Sequence, residues 1–389
     1  MIHLRYLPKS PQQALHKAGW NWMLGDDTAS YLTDEVVKVT AQEAENYYLA
    51  AQELYEMLCK AAQYVIDHDL FEELQIPENV RALIAHTWED ERNIHLYGRF
   101  DFSGGIANAP IKLIEFNANT ATCLPETAVV QWLHLKTNGL EETLQFNSVY
   151  ETIREHFVHL RQINKDLPPK ILFSVLRGSA EDESNVALLG EAAKEVGFTV
   201  AYSYIDEVEF SAKDGIFLAV NGQFENFPFW FKLVPWEFIV LDEPQLLDLL
   251  TPIIVNRKAV VLNPPYVMLL QSKAILKILW DLFPNHPLLL PTYATPPKGM
   301  AYVEKVLFGR EGANVTIYDQ NGYVTAQAEG EYERFRAIYQ AYTPFMQDAR
   351  GLCYQAGVYV AGEPCGLGFR RGGKIINGQA QFVGHLIEE

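Results

Sequence analysis

Four polar residues on two short apolar runs, YGRFDF and IKLIEFN, have the chemistry of a metal site. We predict that the runs form neighbouring β-strands around the turn Ser103–Pro110. Arg99 and Asp101 lie on the first strand. Strand alternation places Glu115 and Asn117 together on one face of the second. Carboxylate and amide oxygens suit Mg²⁺, and an arginine beside them could neutralise charge on a transferred phosphoryl group. The alternative is an exposed strand pair whose charges are solvated.

A glycine-rich stretch, GREGAN (309–314), lies between two predicted strands, and Lys305 precedes it. Glycines allow backbone N–H groups to approach phosphate oxygens, and a lysine on the strand could pair with the same oxygens. The stretch lacks the GK[ST] ending of a Walker A motif. An ordinary hairpin turn would use the same glycines.

Two further lysines lie on apolar elements: Lys232 within the run PFWFKLVPW, and Lys273 at the start of a predicted helix. Lysines are rarely buried without a partner, so Lys232 is a candidate ligand for an anion. The alternative is that its amine reaches the surface along a buried stem.

The elements that must position these residues alternate between helix and strand. Residues 41–66 have the apolar spacing of an amphipathic helix, and a second helix is predicted over Glu78–His86. Residues 167–205 read as a βαβ unit of a parallel sheet: the strand PPKILFSVL, the polar loop RGSAEDES, the helix NVALLGEAAKEVG and the strand FTVAYSYI. The unit has no GxGxxG motif. It carries the acidic triplet Glu181-Asp182-Glu183 after its first strand, at the edge where open α/β sheets bind ligands.

The second half of the chain is predicted to continue in the same way. PFWFKLVPW reads as a strand, and Ser272–Phe283 as a helix with Ser272 as its N-cap. YVEKVLFGREGANVTIYD reads as two strands around the glycine-rich loop, and ERFRAIYQAYTPF as a helix that runs into an extended segment. GVYVAGEPCGLGFRRGGKI reads as a closing hairpin.

The composition narrows the classes of function. The 389 residues include 49 acidic and 31 basic residues, for a formal charge of −18. That charge argues against nucleic-acid binding and against an anionic membrane surface. The sequence has no signal peptide and no apolar stretch long enough for a membrane span, so we expect a cytoplasmic protein. Its four cysteines form neither a disulfide framework nor a CxxC metal site, and the GxSxG and HExxH motifs are absent.

Six motifs resemble, in this order, the synthetase domain of glutathionylspermidine synthase: YGRFDF, IEFNANTATC, QSKAILKILWDLFPNHP, VEKVLFGREGANV, IYQAY and GEPCGLGFRRGG. The resemblance runs from about Trp20 to the C-terminus. It implies a mixed α/β protein with an ATP-grasp fold resembling glutathione synthetase and an inserted or adjoining parallel βαβ substrate subdomain. Within one unit spanning 1–389, we expect helices and metal-ligand strands in 1–165, the substrate subdomain in 166–260, and the lid and nucleotide region in 261–389.

The resemblance also implies a reaction. In the family, ATP phosphorylates the glycine carboxylate of glutathione, and a terminal amine of spermidine attacks the acyl phosphate. The products are an amide, ADP and phosphate. For this chain it implies a small-molecule acid and a polyamine as substrates. The sequence leaves the oligomeric state open.

The family's functional residues correspond to residues of this sequence. The implied ligands of two Mg²⁺ ions are Asp101, Glu115 and Asn117, and the transition-state arginine is Arg99. The implied nucleotide residues are Lys273, Lys305, Glu311, Gly312 and the adenine-contacting hinge Gln340, Ala341 and Tyr342. Arg370 matches an arginine of the closing hairpin, which we group with the nucleotide residues. The implied glutathione residues are Thr120 and Lys232, and the implied polyamine residues are Glu181 and Asp182.

The sequence departs from the family pattern at three positions. Val306 follows Lys305 where proline is usual, Asn119 stands where aspartate is common, and Thr120 stands where serine is expected. The first cysteine, Cys59, lies in a predicted helix, so we expect no cysteine amidase domain and a chain that forms an amide without hydrolysing one. Two alternatives stay open. One is a peptide or amino-acid ligase with other substrates, and the other is a catalytically silent ATP-grasp relative that binds nucleotide or polyamine.

Overall fold

The structure, a computed structural model, describes residues 1–24 and 31–388. Its α-helices are α1 (Gln12–Ala18), α2 (Ala41–Asp67), α3 (Glu78–Glu89), α4 (Gln131–Thr137), α5 (Val149–Ile163), α6 (Ala180–Glu195), α7 (Trp236–Asp242), α8 (Pro244–Val255), α9 (Val267–Gln271) and α10 (Ile275–Leu282). Short 3₁₀ segments cover Asn21–Leu24, Leu70–Glu72, Glu142–Leu144 and Ile205–Glu207, and a π-helical turn covers Glu126–Val130.

The strands of the first half are β1 (Leu4–Tyr6), β2 (Glu35–Val39), β3 (Gly98–Ser103), β4 (Lys112–Asn117), β5 (Lys170–Val175), β6 (Thr199–Tyr204), β7 (Val208–Ser211), β8 (Gly215–Val220), β9 (Gln223–Asn226) and β10 (Phe229–Lys232). The second half adds β11 (Val260–Leu262), β12 (Thr292–Tyr293), β13 (Tyr302–Val306), β14 (Val315–Tyr318), β15 (Val324–Ala328), β16 (Ala337–Ala341), β17 (Met346–Gln347), β18 (Cys353–Ala361), β19 (Glu363–Gly372), β20 (Gln381–Val383) and β21 (His385–Ile387).

The predicted strand pair is present in a six-stranded antiparallel sheet. Its order is β20-β19-β18-β3-β4, and β17 pairs with β18. Asp101 lies opposite Glu115, and Arg99 opposite Asn117. The other face of these strands is aromatic, with the rings of Phe100 and Phe116 4.2 Å apart. That face packs on the core, which leaves the polar face for a site.

The predicted βαβ unit is also present, in a parallel sheet of order β11-β10-β5-β6. One boundary of the prediction was wrong. α6 begins at Ala180, so Glu181, Asp182 and Glu183 lie in its first turn and not in a polar loop. Ser179 caps the helix, because its hydroxyl accepts a hydrogen bond from the Asp182 N–H.

A five-stranded antiparallel sheet, of order β12-β16-β13-β14-β15, carries the second half of the candidate site. The helix predicted over ERFRAIYQAYTPF was wrong, because β16 runs through it. β16 pairs with β13 on one side and with β12 on the other, and its backbone groups satisfy both neighbours. The two strands predicted around the glycine-rich loop are present as β13 and β14, which pair as a hairpin and place Lys305 beside β16.

The helix predicted from Ser272 to Phe283 begins three residues later than expected, at Ile275. α9 ends at Gln271 and α10 begins at Ile275, so Ser272 follows one helix and does not cap the next. Its hydroxyl donates instead to the carbonyl of Leu74 at 3.0 Å. The backbone N–H of Lys273 donates to Leu307, which ties this corner to the glycine-rich loop.

The two remaining sheets are β1-β2-β21, which joins the two ends of the chain, and β7-β8-β9. The 27-residue α2 begins at a capping box of Thr40 and Glu43 and packs against β18 and β19. No helix within residues 1–24 and 31–388 combines the length and the apolar character that crossing a membrane requires.

Candidate active site

The polar face of β3 and β4 holds a compact charge network. Arg99 donates to both oxygens of Asp101, from Nε at 2.6 Å and from Nη2 at 3.0 Å. Its Nη1 donates to the carbonyl of Thr122 at 2.6 Å. Asn117 donates from Nδ2 to Asp101 at 3.0 Å, which turns its own carbonyl oxygen away from that bond. The arginine is therefore rigidly aimed, and Asp101, Glu115 and Asn117 offer hard oxygen atoms on one face, a donor set that fits Mg²⁺.

Two lysines approach the same face from other elements. Lys273 lies 3.3 Å from the Glu115 carboxylate and donates to the Gly309 carbonyl at 2.6 Å. Lys305 donates to the Gln340 side chain at 2.8 Å and to the Ile114 carbonyl at 3.1 Å. Burial raises the pKa of Glu115, but Lys273 and Lys305 outweigh it and hold that pKa below its ordinary value. Burial lowers the pKa of Lys305 to about 8, against the opposing effect of Glu115.

These lysines line the larger of two adjoining cavities, which encloses about 700 Å³ of space, part of it open to solvent. That volume is within the usual range for small-molecule sites. Seven of the residues singled out in the sequence line it: Glu115, Lys273, Lys305, Gly312, Gln340, Ala341 and Tyr342. Its apolar walls are Val303, Val306, Val315, Ile317, Ile375 and Ile376. Two lysines together with apolar walls suit a ligand that carries both anionic and apolar groups.

The smaller cavity lies over the strand network and is lined by Arg99, Asp101, Gln355 and Arg370, among others. Gln355 lines both cavities, so they adjoin at this side chain. Arg370, grouped with the nucleotide residues from the sequence, is therefore placed beside Arg99 instead. Its Nη2 donates to the Asn377 carbonyl at 2.6 Å, and its buried Nε has no partner within the described part of the chain.

An acidic cluster, defined by Glu126, Glu181 and Cys123, borders the smaller cavity. Their ligand atoms lie within 4.8 Å of one another, and Cys123 also lines that cavity. Glu126 is fully buried in the π-helical turn, where one carboxylate oxygen accepts from the Tyr31 hydroxyl at 2.6 Å. The other oxygen has no hydrogen-bond partner among residues 1–24 and 31–388. Burial, and then the charge of Glu181, raise the pKa of Glu126 to about 7.

Asp182, the other residue of the predicted amine region, follows Glu181 in the first turn of α6. Burial raises the pKa of Glu181 and of Asp182, and the charge of Glu311 adds to both shifts. Glu311 was predicted to cover phosphates. In the structure its charge acts on the acidic residues and its carboxylate lies close to Gly378, and its contact with phosphates stays a prediction. Arg370 is the cation that opposes these charges at Glu126 and Glu181.

Thr120 and Lys232, the two residues assigned to an acid substrate, differ in their exposure to solvent. Thr120 is partly exposed, and its hydroxyl accepts a short hydrogen bond from Arg310 of the glycine-rich loop. Lys232 is fully buried; its amine donates to the Val234 carbonyl at 2.7 Å and lies 4.1 Å from the Trp236 ring centroid. It does not reach the surface. Burial holds its pKa well below the ordinary lysine value.

Three residues of the site escaped the sequence reasoning: Glu126, Arg310 and Gln355. Arg310 lies within the glycine-rich loop, for which the sequence prediction considered only the glycines and their backbone N–H groups. Glu126 was visible as a lone carboxylate in the apolar run LPETAVV, a pattern that indicates a buried charge. No sequence pattern marks Gln355 as a site residue, because its position between the two cavities depends on the pairing of β18 with β3 and β19.

Comparison with known proteins identifies the family and the fold of the chain. A family profile described as "Glutathionylspermidine synthase preATP-grasp" matches residues 4–388. A Haemophilus influenzae protein named "Putative acid--amine ligase" is 31% identical over 393 residues, covering 97% of this chain and 96% of that protein. The "Bifunctional glutathionylspermidine synthetase/amidase" of Escherichia coli is 24% identical over 364 residues. That match covers 85% of this chain, which spans only 55% of the bifunctional protein.

A trypanothione synthetase of Crithidia fasciculata is 24% identical over 82% of this chain, which spans 51% of that protein. A solved glutathione synthetase-like effector from Globodera pallida superposes with a TM-score of 0.57 at 10% identity, covering 99% of this chain and 100% of the effector. This likeness shows the fold, and the predicted mixed α/β architecture of the ATP-grasp, glutathione synthetase-like type is confirmed. The profile match over nearly the whole chain settles the family: the chain belongs to the glutathionylspermidine synthase family.

Proposed function

We propose that this protein is an ATP-dependent acid–amine ligase that forms an amide through an acyl-phosphate intermediate. The observation that carries the proposal is the order of three chemically different regions. The lysine-lined larger cavity meets the Arg99–Asp101 network at Gln355, and the acidic cluster borders that network at Cys123. A nucleotide, a transferred phosphoryl group and a cationic amine would each find complementary charge in this order.

The larger cavity would hold ATP. Lys273 and Lys305 would bind its phosphates, and the strand segment Gln340–Tyr342 would contact the adenine, with apolar walls on either side. Asp101, Glu115 and Asn117 would hold Mg²⁺, which we expect to be two ions. When bound, Mg²⁺ supplies positive charge to the phosphate oxygens.

Arg99 would stabilise the phosphoryl group as it passes to the acid carboxylate, because its guanidinium is already fixed by Asp101 and Thr122. The acid would lie near Thr120 and Arg310. Closure of the glycine-rich loop would exclude water, since an acyl phosphate is readily hydrolysed. The Lys273 bond to Gly309 ties that loop to the phosphate end of the cavity.

The amine would bind at the acidic cluster with Glu181 and Asp182. An ammonium group must lose a proton before it attacks, and the oxygen of Glu126 that has no partner in the described part of the chain would accept it. The amine nitrogen then forms the C–N bond as the bond between the carbonyl carbon and the phosphate oxygen breaks. Phosphate leaves with the electron pair of that bond and takes the second proton from the amine nitrogen.

Glutathione and spermidine are the substrates we propose first, because the named relatives make glutathionylspermidine or trypanothione. We expect the reaction in the cytoplasm, where ATP is available. Thr120 and Asn119, which differ from the family pattern beside the acid site, favour a second candidate: a peptide or amino-acid ligase with a different acid or amine.

The test is ADP release with Mg-ATP across a matrix of acids (glutathione, short peptides, amino acids) and amines (spermidine, putrescine, lysine). Mass spectrometry identifies each product. A glutathione–spermidine conjugate supports the first pair, and another conjugate supports the second candidate. ATP binding without ADP release for any pair would contradict the ligase and leave a silent nucleotide-binding relative.

A further inference from the structure

We infer that Glu237 is a positioning residue that clamps two loops of the acid site together and fixes the guanidinium of Arg310 beside Thr120. The inference rests on the proposed acid site and adds to it a residue that touches neither ATP, acid nor amine. Glu237 lies in the first turn of α7 and is completely buried.

The Glu237 carboxylate uses one oxygen on each loop. Oε1 accepts from Arg310 Nη2 at 2.8 Å, in the glycine-rich loop. Oε2 accepts from Asn119 Nδ2 at 3.5 Å, in the segment that follows β4 and contains Thr120. A buried carboxylate shared between two loops stabilises their approach, because separating the loops would leave its charge unpaired in a dry environment.

The contacts of Arg310 show what the clamp achieves. Nη2 is held by Glu237 and Nη1 by the Thr120 hydroxyl. Nε is buried and has no partner in the part of the chain that the structure describes. Asn119 is similar, since Glu237 accepts from its amide nitrogen while its carbonyl oxygen lacks a partner there. Glu237 therefore orients one free donor and one free acceptor around Thr120, as a peptide-like acid would require.

The buried amine of Lys232 also interacts with Glu237, which supports the positioning role. Lys232 lies completely buried on the strand before α7, and Glu237 is the carboxylate whose charge favours its protonated form. Arg310 repels it. Glu237 is thus the carboxylate that acts on both groups, and its loss would leave the Arg310 guanidinium and the Lys232 amine without that anion.

The test compares Glu237→Gln with the wild type and with Asp242→Asn. Asp242 ends the same helix and pairs with Arg334 at the exposed surface, which makes it a matched control. We expect Glu237→Gln to raise the KM for the acid by about tenfold or more, because a charge-assisted bond is lost, while the KM for ATP changes little. Asp242→Asn should leave both constants near their wild-type values.

A double-mutant cycle separates positioning from a general structural role. If Glu237 acts through Arg310, Glu237→Gln should have little further effect in an Arg310→Gln background. Additive effects on the acid KM would overturn the inference. If Glu237→Gln does not fold, Glu237→Asp replaces it: its charge is kept but its carboxylate is too short for both loops, so the same rise in KM is expected.

Trypsin cleavage after Arg310 provides a readout that needs no ligase activity. Releasing the clamp should open the glycine-rich loop and speed this cleavage by about tenfold, as followed by mass spectrometry, with Asp242→Asn unchanged. If the protein released no ADP with any substrate pair, the proposed function would be wrong. The cleavage rate after Arg310 would still test whether Glu237 holds the two loops together. Equal cleavage rates in wild type and Glu237→Gln would overturn the clamp itself.

Discussion

Each carboxylate proposed to bind Mg²⁺ is paired with a cation of the protein. Asp101 is held by Arg99, and Glu115 lies beside Lys273. These are the same cations that the proposed reaction would direct at phosphate oxygens. Binding of Mg-ATP would therefore exchange partners: Glu115 would hold the metal, and Lys273 would turn to a phosphate. Such an exchange costs less than assembling the charges anew, because no buried charge is left alone.

Removing the charge of Glu115 tests this exchange. We expect Glu115→Gln to lower kcat by at least about a hundredfold, because metal charge on the phosphates is worth several kcal/mol, and to leave the fold intact. Mg²⁺ titration of ADP release, with circular dichroism alongside, measures both. Glu304→Gln, on β13 where the carboxylate accepts from Tyr318, is the matched control. Wild-type turnover in Glu115→Gln would remove this residue from the metal site.

The pH dependence of nucleotide binding tests Lys305. Its pKa is lowered to about 8, chiefly by burial, so the charged form that attracts phosphate is present below pH 8 and is lost above it. The KM for ATP should therefore rise as the pH passes from 7 to 9. Lys305→Arg, which stays charged throughout this range, should flatten the profile, and Lys305→Ala should weaken ATP binding at every pH. An equal rise in wild type and Lys305→Arg would mean that another group titrates.

At the scale of the elements, sequence reasoning succeeded where the pattern and its partner are close in the chain. β3 with β4, β5 with α6 and β6, and β13 with β14 are neighbours along the chain, and the sequence predicts each of these elements apart from the start of α6. It failed at β16, which is predicted as a helix because its two partner strands lie 30 or more residues away along the chain. It failed again at Ser272, whose hydroxyl bonds to Leu74, nearly 200 residues earlier.

The same reasoning explains which site residues could be predicted. Asp101, Glu115, Lys305 and Gln340 belong to motifs whose residue types already suggest a chemistry. Glu126 and Glu237 are single carboxylates in apolar segments, and their roles depend on neighbours that only the folded chain supplies. The separation of Arg370 from the larger cavity was equally invisible, since it depends on which edge of the β18–β19 hairpin faces Arg99.

Gly312 tests the glycine-rich loop as an element. Its φ is +71°, and a Cβ there would lie 2.5 Å from the carbonyl oxygen of Ile376, across the larger cavity's rim. Gly312→Ala should therefore shift the loop and raise the KM for ATP. Gly322→Ala, with a φ of +85° but open space around it, carries the same backbone cost of about 1–2 kcal/mol without the clash. Comparable nucleotide KM values in the two variants would show that the contact with Ile376 is unimportant.

At the scale of the whole molecule, the acidic cluster is assembled from distant parts of the chain. Tyr31 near the N-terminus, Glu126 in a π-helical turn and Glu181 at the start of α6 meet there, with Glu311 and Arg370 contributing charge. α6 supplies only part of this charge, because Glu126 and Glu311 come from other parts of the chain. This concentration of negative charge lowers the stability of the folded protein, and a bound cation would reduce the repulsion between the carboxylates.

Glu126→Gln measures that cost. Because the pKa of Glu126 is raised from 4.5 to about 7 in the folded protein, its contribution to stability is present below pH 4.5 and is lost as the pH rises through 7. At pH 8 the glutamine variant should therefore have the higher melting temperature, and its free energy of unfolding should exceed that of the wild type by up to about 3 kcal/mol. Both differences should shrink near pH 5. Spermidine should raise the melting temperature of the wild type at pH 8 more than that of the variant, because the ammonium group binds the charge that the variant lacks. A variant less stable than the wild type at pH 8, or one that spermidine stabilises equally, would show that Glu126 is a structural carboxylate and that the amine binds elsewhere.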